Sequence, residues 1–169
     1  MENLKDIYIR DAKLLGKDDF IKKYNHPFLI QYSEKTSSEQ ASKKMTFSTI
    51  SVKNLDELIK QASSMSKKVI EQAFPITKSD RNPFAGKITV GRTNNHDLII
   101  QDASISKFQG YFETDNNIQF TFVDKGSTNG TTVNGEKLEP SVPRFLKDRD
   151  LIAFSTVKFT YYSPRAAYE

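Results

Sequence analysis

The sequence predicts a mainly β protein, a β-sandwich preceded by a small α+β segment. Three observations carry this expectation. From Ala73 to Tyr162, short apolar stretches recur between turn residues without intervening helices, a pattern that points to a sandwich. Six of the seven glycines lie between Gly86 and Gly135, so unusual backbone conformations concentrate there. The one extended helical periodicity falls in the first half of the chain. The expected organisation is an α+β extension over residues 1–72 that packs on the main domain, the main domain over 73–163, and a tail over 164–169. Within the extension, residues 33–44 read as a flexible linker.

The opening residues to Leu15 mix apolar and charged positions, with Gly16 as a helix stop. Asp18 or Asp19 is placed to cap a short helix over Phe20–Tyr24, which Pro27 ends. Phe28–Tyr32 reads as a strand, Ser33–Lys44 as a polar linker, and Thr46–Val52 as a second strand. One helix, or two shorter ones broken at Ser63-Ser64, is then expected over about 54–70. Leu55, Leu58, Ile59, Ala62, Met65, Val69 and Ile70 fall near one face, Asn54 caps it, and Lys67-Lys68 lie at its negative end. That stripe reads as core packing. Seventy residues with one such helix bury too little surface to stand alone.

In the second half, Phe74–Lys78, Lys87–Val90 and Leu98–Ile100 are candidate strands, the first two separated by a turn at Asn82-Pro83. Phe108–Thr114 and Ile118–Asp124 flank Asp115-Asn116-Asn117 as a hairpin would. Phe120 and Phe122 alternate with Gln119 and Thr121, so one face is expected buried and one wet. Thr131–Val133 and Glu136–Leu138 flank Asn134-Gly135, the pair best suited to the positive φ angles of a type I′ turn. Leu151–Phe154 and Val157–Tyr161 complete the set, with Val157, Phe159 and Tyr161 on one face.

Composition excludes several functions. There are 25 basic and 21 acidic residues, a mild +4, and they are interspersed rather than blocked. No nucleic-acid stripe stands out. The absence of cysteine removes disulfides, thiolate metal sites and cysteine nucleophiles. No apolar run near Met1 resembles a signal peptide or membrane span, so the expected location is the cytoplasm and no membrane partner is expected. Only His26 and His96 are present, and no nucleophile motif, metal-ligand cluster or Walker-type loop accompanies them. His96, beside Asp97, reads as a solvent-facing loop residue. Neither an enzyme nor a cofactor is expected.

The polar residues among the glycines form an ordered series. Gly91-Arg92 is followed by Ser104-Ile105-Ser106-Lys107-Phe108-Gln109, then by Asp124-Lys125-Gly126-Ser127-Thr128-Asn129-Gly130-Thr131 and Val133-Asn134-Gly135. Arg supplies a fixed fork of donors suited to phosphate, hydroxyls and turn amides add uncharged donors, and Asn carries the donor and acceptor needed to grip a peptide main chain. This series resembles the forkhead-associated (FHA) domain, over about residues 73–163, and Leu146–Phe154 resembles the family's last turn and strand. The resemblance is to a small bacterial member with an N-terminal extension. It implies an eleven-strand sandwich with two antiparallel or mixed sheets, whose loops at one end bind phosphothreonine in an extended peptide. By motif, Arg92 pairs with the phosphate, Ser106 donates its hydroxyl to it, and Lys107 adds a positive charge. Thr128 and Asn129 line the site, with Asn129 on the peptide main chain. Gly91, Gln109 and Gly130 support the loops.

The chain departs from the family at four positions. Gln109 stands where a histidine usually braces the loops, and Gly110 where alanine is usual. Arg149 and Ser155 stand where turn glycines are common. Ser104, small and neutral, is expected to give weak charge selection three residues after the phosphothreonine. The implied partner is a phosphothreonine protein made by a Ser/Thr kinase, with the chain as a signalling adaptor. The alternative is a scaffold with the same fold that binds partners without phosphate. Self-association is allowed for: a phosphorylated Thr36 in the linker would suit the site, in cis or in a second copy.

Overall fold

The computed structural model describes residues 3–35, 67–115 and 119–169. Residues 1–31 and 72–169 form one compact unit and residues 32–71 a second. In the second unit, residues 32–35 and 67–71 are in strands. Thr36, the strand expected over 46–52 and most of the helix expected over 54–70 lie outside the described residues.

The first unit opens with helix α1 (Leu4–Leu14), capped by the Asn3 side chain, which accepts from the Lys5 amide. The helix ends immediately before Gly16, as expected, although Gly16 is not in the left-handed conformation of a glycine stop. Leu15 ends α1, and Gly16, in extended conformation, is the N-cap of α2 (Lys17–Lys23). Asp18 and Asp19 therefore lie in the first turn of α2, where negative charge suits the helix dipole. Strand β1 (Phe28–Lys35) follows, longer than expected, so residues 33–35 are strand rather than linker. Strand β2 (Lys67–Pro75) overturns the end of the expected helix: Val69 and Ile70 are in extended backbone. β2 pairs with β1, a contact distant in sequence that a local 3.6-residue period does not register. It ends at Pro75, so Ile76–Lys78 lie beyond it, and the Ile76 amide donates to the Pro27 carbonyl.

The remaining strands are β3 (Ile88–Gly91), β4 (Leu98–Ile99), β5 (Gly110–Asp115), β6 (Gln119–Asp124), β7 (Thr131–Val133), β8 (Glu136–Lys137), β9 (Arg144–Phe145), β10 (Leu151–Phe154) and β11 (Val157–Tyr162). They form the expected sandwich. One sheet has the order β2-β1-β11-β10-β7-β8 and the other β4-β3-β5-β6-β9. Asn134 and Gly135 both have positive φ, 53° and 83°, as a type I′ turn requires. β9, only two residues long, was not foreseen. Nor was helix α3 (Pro164–Tyr168) in the expected tail, although Ser163 as cap and Pro164 at the first position are its signature.

The core lies between the sheets. Phe112, Phe122, Phe154 and Phe159 make successive ring contacts at 4.9, 5.1 and 5.7 Å, with Leu29, Val90, Val133 and Ile152 packed in the same cluster. Phe120 and Phe122 are buried while Gln119 is exposed, the alternation a half-wet strand requires. Phe159 and Tyr161 are buried and Val157 packs against the core cluster they belong to.

Candidate functional site

Strand register brings the glycine-rich loops together. Val90 on β3 pairs with Gly110 on β5, which pairs with Asp124 on β6. The chain leaves the sheet at this one row into the β3–β4 loop, out of the β4–β5 loop and into the β6–β7 loop. These three segments carry Arg92, Ser106 and Thr128. The β10–β11 turn joins them, because the Ser155 amide donates to the Gly130 carbonyl at 3.0 Å.

The contacts between the loops run through the expected site residues. The Arg92 amide donates to the Ser106 carbonyl at 3.1 Å. The Thr128 amide donates to Ser106 Oγ at 2.9 Å, and that hydroxyl points back to Thr128 Oγ1 at 3.4 Å. This second contact is beyond the usual O–H···O range, so the hydroxyl proton is weakly held. Asn129 Nδ2 donates to the Ser104 carbonyl at 2.8 Å, which fixes its amide and leaves Oδ1 for another partner. Ser104 Oγ donates to Asp102 at 2.6 Å, and Ser104's hydroxyl and amide together hold the Asp102 carboxyl below its ordinary pKa. The guanidinium of Arg92 and the ammonium of Lys107 are exposed and have no ionic partner among the described residues.

Beneath these groups lies Gln109, 1% exposed. Its Oε1 accepts from the Ser106 amide at 3.1 Å. Its Nε2 faces Ser127 Oγ, Gly130 O and Thr131 Oγ1 at 2.8, 3.1 and 3.0 Å. Both hydroxyls donate to Asp124 Oδ2 at 2.6 Å, while Asp124 Oδ1 accepts from the amides of Gly126 and Ser127. A carboxylate only accepts, so each hydroxyl proton is directed to Asp124 and each hydroxyl lone pair to Gln109. One side chain thus ties the β4–β5 loop to the β6–β7 loop. Asp124, Ser127 and Thr131 were not singled out from sequence. Their signal is an acidic residue followed two and three positions on by Gly-Ser, the pattern of a side chain folding back on its own turn.

His96 corrects an expectation. It is buried, not solvent-facing: its Nε2 donates to the Lys107 carbonyl at 2.7 Å and its ring lies 5.0 Å from that of Phe108. Gly91 permits this, because a Cβ there would lie 2.5 Å from His96 Cδ2 and 2.6 Å from Nε2. Burial holds His96 below its ordinary pKa, outweighing the Lys107 carbonyl and the Asp97 charge. His96 Nδ1 has no hydrogen-bond partner among the described residues, which suits a neutral ring. Thr93 Oγ1 reaches the same carbonyl at 3.1 Å, so the β3–β4 loop is fastened to the backbone of Lys107.

Asp97 anchors that loop from the other side. Its carboxylate accepts from Ser79 N and Oγ at 2.6 and 2.8 Å, from Asn82 Nδ2 at 2.5 Å, and from Thr89 N at 2.7 Å. Burial would raise its pKa, but the donors from Asn82, Thr89 and Ser79 prevail and lower it. The arrangement sets amides and hydroxyls beside Arg92 and Lys107, a chemistry suited to an anion, with the Asn129 amide oxygen alongside. No group of three or more His, Asp or Glu side chains among the described residues is placed to hold a metal ion. No helix among them is long and apolar enough to cross a membrane.

Residues 88–155 match the family model "FHA domain". Mycobacterium tuberculosis EmbR, solved in complex with a low affinity phosphopeptide, is 14% identical with a TM-score of 0.47; the match covers 82% of this chain and 24% of that one. The MEK1 FHA domain, solved in complex with a HOP1 phosphothreonine peptide, is 28% identical with a TM-score of 0.44, over 55% of this chain and 89% of that one. The FHA domain of CT664 from Chlamydia trachomatis is 18% identical with a TM-score of 0.48, over 81% and 97%. The chain thus spans about a quarter of the EmbR structure. No curated protein sequence matches it.

Proposed function

We propose, from the match of residues 88–155 to the FHA domain family and the geometry of the loops, that the protein is a phosphothreonine-dependent peptide-binding module acting as a signalling adaptor. The observation that carries this reading is the Gln109 brace, which holds the amides and hydroxyls of two loops in place while Arg92 and Lys107 stay uncommitted. Arg92 pairs with the phosphate through its fork of donors. Ser106 turns its weakly held hydroxyl proton to a phosphate oxygen, and Lys107 contributes charge. Thr128 lines the pocket. Asn129, oriented by the Ser104 carbonyl, accepts from the peptide main chain through Oδ1. Gly91, Gln109 and Gly130 shape and support the loops. The binding loops lie within residues 73–163, on a sandwich completed by β1 and β2, and the proposed role is binding rather than catalysis, in the cytoplasm.

Fluorescence polarisation with matched threonine and phosphothreonine peptides tests the reading. The phosphorylated forms are expected to bind selectively, and Arg92→Ala is expected to cost about 2–4 kcal/mol, the range for removing one partner of a desolvated charge pair. Equal binding of both forms, or an unaffected Arg92→Ala, rejects it in favour of a scaffold that binds without phosphate.

A further inference from the structure

Gly130 has φ +81°, and the space above its Cα is filled by a side chain from another strand. A Cβ at Gly130 would lie 2.9 Å from Lys137 Cε and 3.7 Å from Lys137 Nζ. Lys137 is on β8, paired with Thr132 on β7, and the Leu138 amide donates to the Thr131 carbonyl at 2.9 Å. Its stem therefore lies across the loop residue that follows Asn129. A long side chain laid over backbone in this way keeps its charge at the surface.

That charge has no carboxylate partner among the described residues. The neighbouring Glu136 is committed elsewhere, pairing with Arg144 at 2.8 Å. The β6–β7 loop itself carries Lys125 and no acid from residue 125 to 130. The nearest carboxylate in sequence, Asp124, is turned inward to four donors. The Asp102 carboxylate, on the far side of Ser104 from Asn129, is taken up by the Ser104 hydroxyl and amide, so Lys137 adds a third cation without an ionic partner among the described residues beside Arg92 and Lys107.

We propose that Lys137 is a specificity residue of this surface, its ammonium taking an acidic side chain of the target peptide that flanks the phosphothreonine. This rests on the phosphopeptide reading above. The peptide main chain held by Asn129 passes beside Gly130, which brings a flanking side chain within reach of Lys137. The pair is exposed, so the selection is modest and sensitive to salt.

The test is fluorescence anisotropy of the full chain with phosphothreonine peptides carrying Asp, Ala or Lys in turn at each of three positions on either side. Wild type is expected to favour Asp over Ala at one flanking position by roughly two- to fivefold at low salt. Lys137→Met keeps the stem over Gly130 and is expected to lose that preference while remaining phosphate-dependent; Lys137→Glu is expected to reverse it toward Lys. Lys137→Arg, which keeps the charge, is expected to retain it. No acidic preference in wild type, or its persistence in Lys137→Met, overturns the proposal. Failure of the underlying reading is distinct: wild type would then bind phosphorylated and unphosphorylated peptides alike, and both would fall.

Discussion

The side-chain amide of Gln109 sits between a donor and a set of acceptors, and its oxygen and nitrogen serve both. Gln109→Glu replaces Nε2 by an oxygen that faces Ser127 Oγ, Gly130 O and Thr131 Oγ1, all already acting as acceptors there. It also brings a second carboxylate toward Asp124. The expected cost is about 2–4 kcal/mol, the scale of buried polar groups left unpaired. Thermal unfolding is expected to show Tm lowered by about 5–15 °C; an unchanged Tm would mean that the brace contributes little. The motif series, read through the family resemblance, singled out Arg92, Ser106, Thr128 and Asn129, and the structure brings the loops that carry them together. The burial of His96 was not legible. It depends on how closely the Gly91 backbone approaches a ring five residues later, and periodicity says nothing about that distance. The positions lacking turn glycines are informative in another way: Arg149 and Ser155 do adopt positive φ, 72° and 58°, at a local cost of about 1–2 kcal/mol each.

Among elements, the strands with alternating burial were legible and the others were not. β6 and β11 announce a wet and a dry face, whereas β9 has two residues and no period. β2 misled because Val69 and Ile70 satisfy a helical stripe as readily as a strand, and pairing with β1 decides between them. The segment before β3 depends on one carboxylate. Asp97 joins residues 79–82 to β3 through five hydrogen bonds. Its pKa is lowered in the folded state, so its stabilisation is complete above the unfolded value near 3.8 and is lost as pH falls through the lower folded value. Urea unfolding at pH 7 and pH 3 is expected to show a smaller pH difference for Asp97→Asn than for wild type. The same difference in both would rule out this linkage.

At the scale of the molecule, the sandwich borrows a strand from the beginning of the chain. β1 pairs with β11 through Phe28↔Tyr162, Leu29↔Tyr161 and Ile30↔Thr160, more than a hundred residues apart. Phe28, Leu29 and Ile30 are all buried. At about 1.5–3 kcal/mol for each fully buried side chain, the three contribute on the order of 5–9 kcal/mol, comparable with the whole stability of a domain. A fragment beginning at residue 73 is therefore expected to lose cooperative unfolding, and the full chain to retain a single sharp transition for this unit. Circular dichroism melts of the two would decide it, and equal Tm values would refute the expectation. The family resemblance, covering the second half of the chain, had no means of showing that contribution.

The brace has one further consequence. Glutamine carries no ionisable proton, so the hydrogen-bond directions set by Asp124, Ser127 and Thr131 do not change as the solution passes through neutrality. A histidine in that place would gain a charge on the way down and reverse one of its bonds. Burial lowers the pKa of the nearby His96 below its ordinary value. The rim therefore presents one unchanging set of donors on either side of neutral pH. For a phosphothreonine ligand, the acid–base behaviour of capture there belongs to the ligand, through the second ionisation of its phosphate near pKa 6.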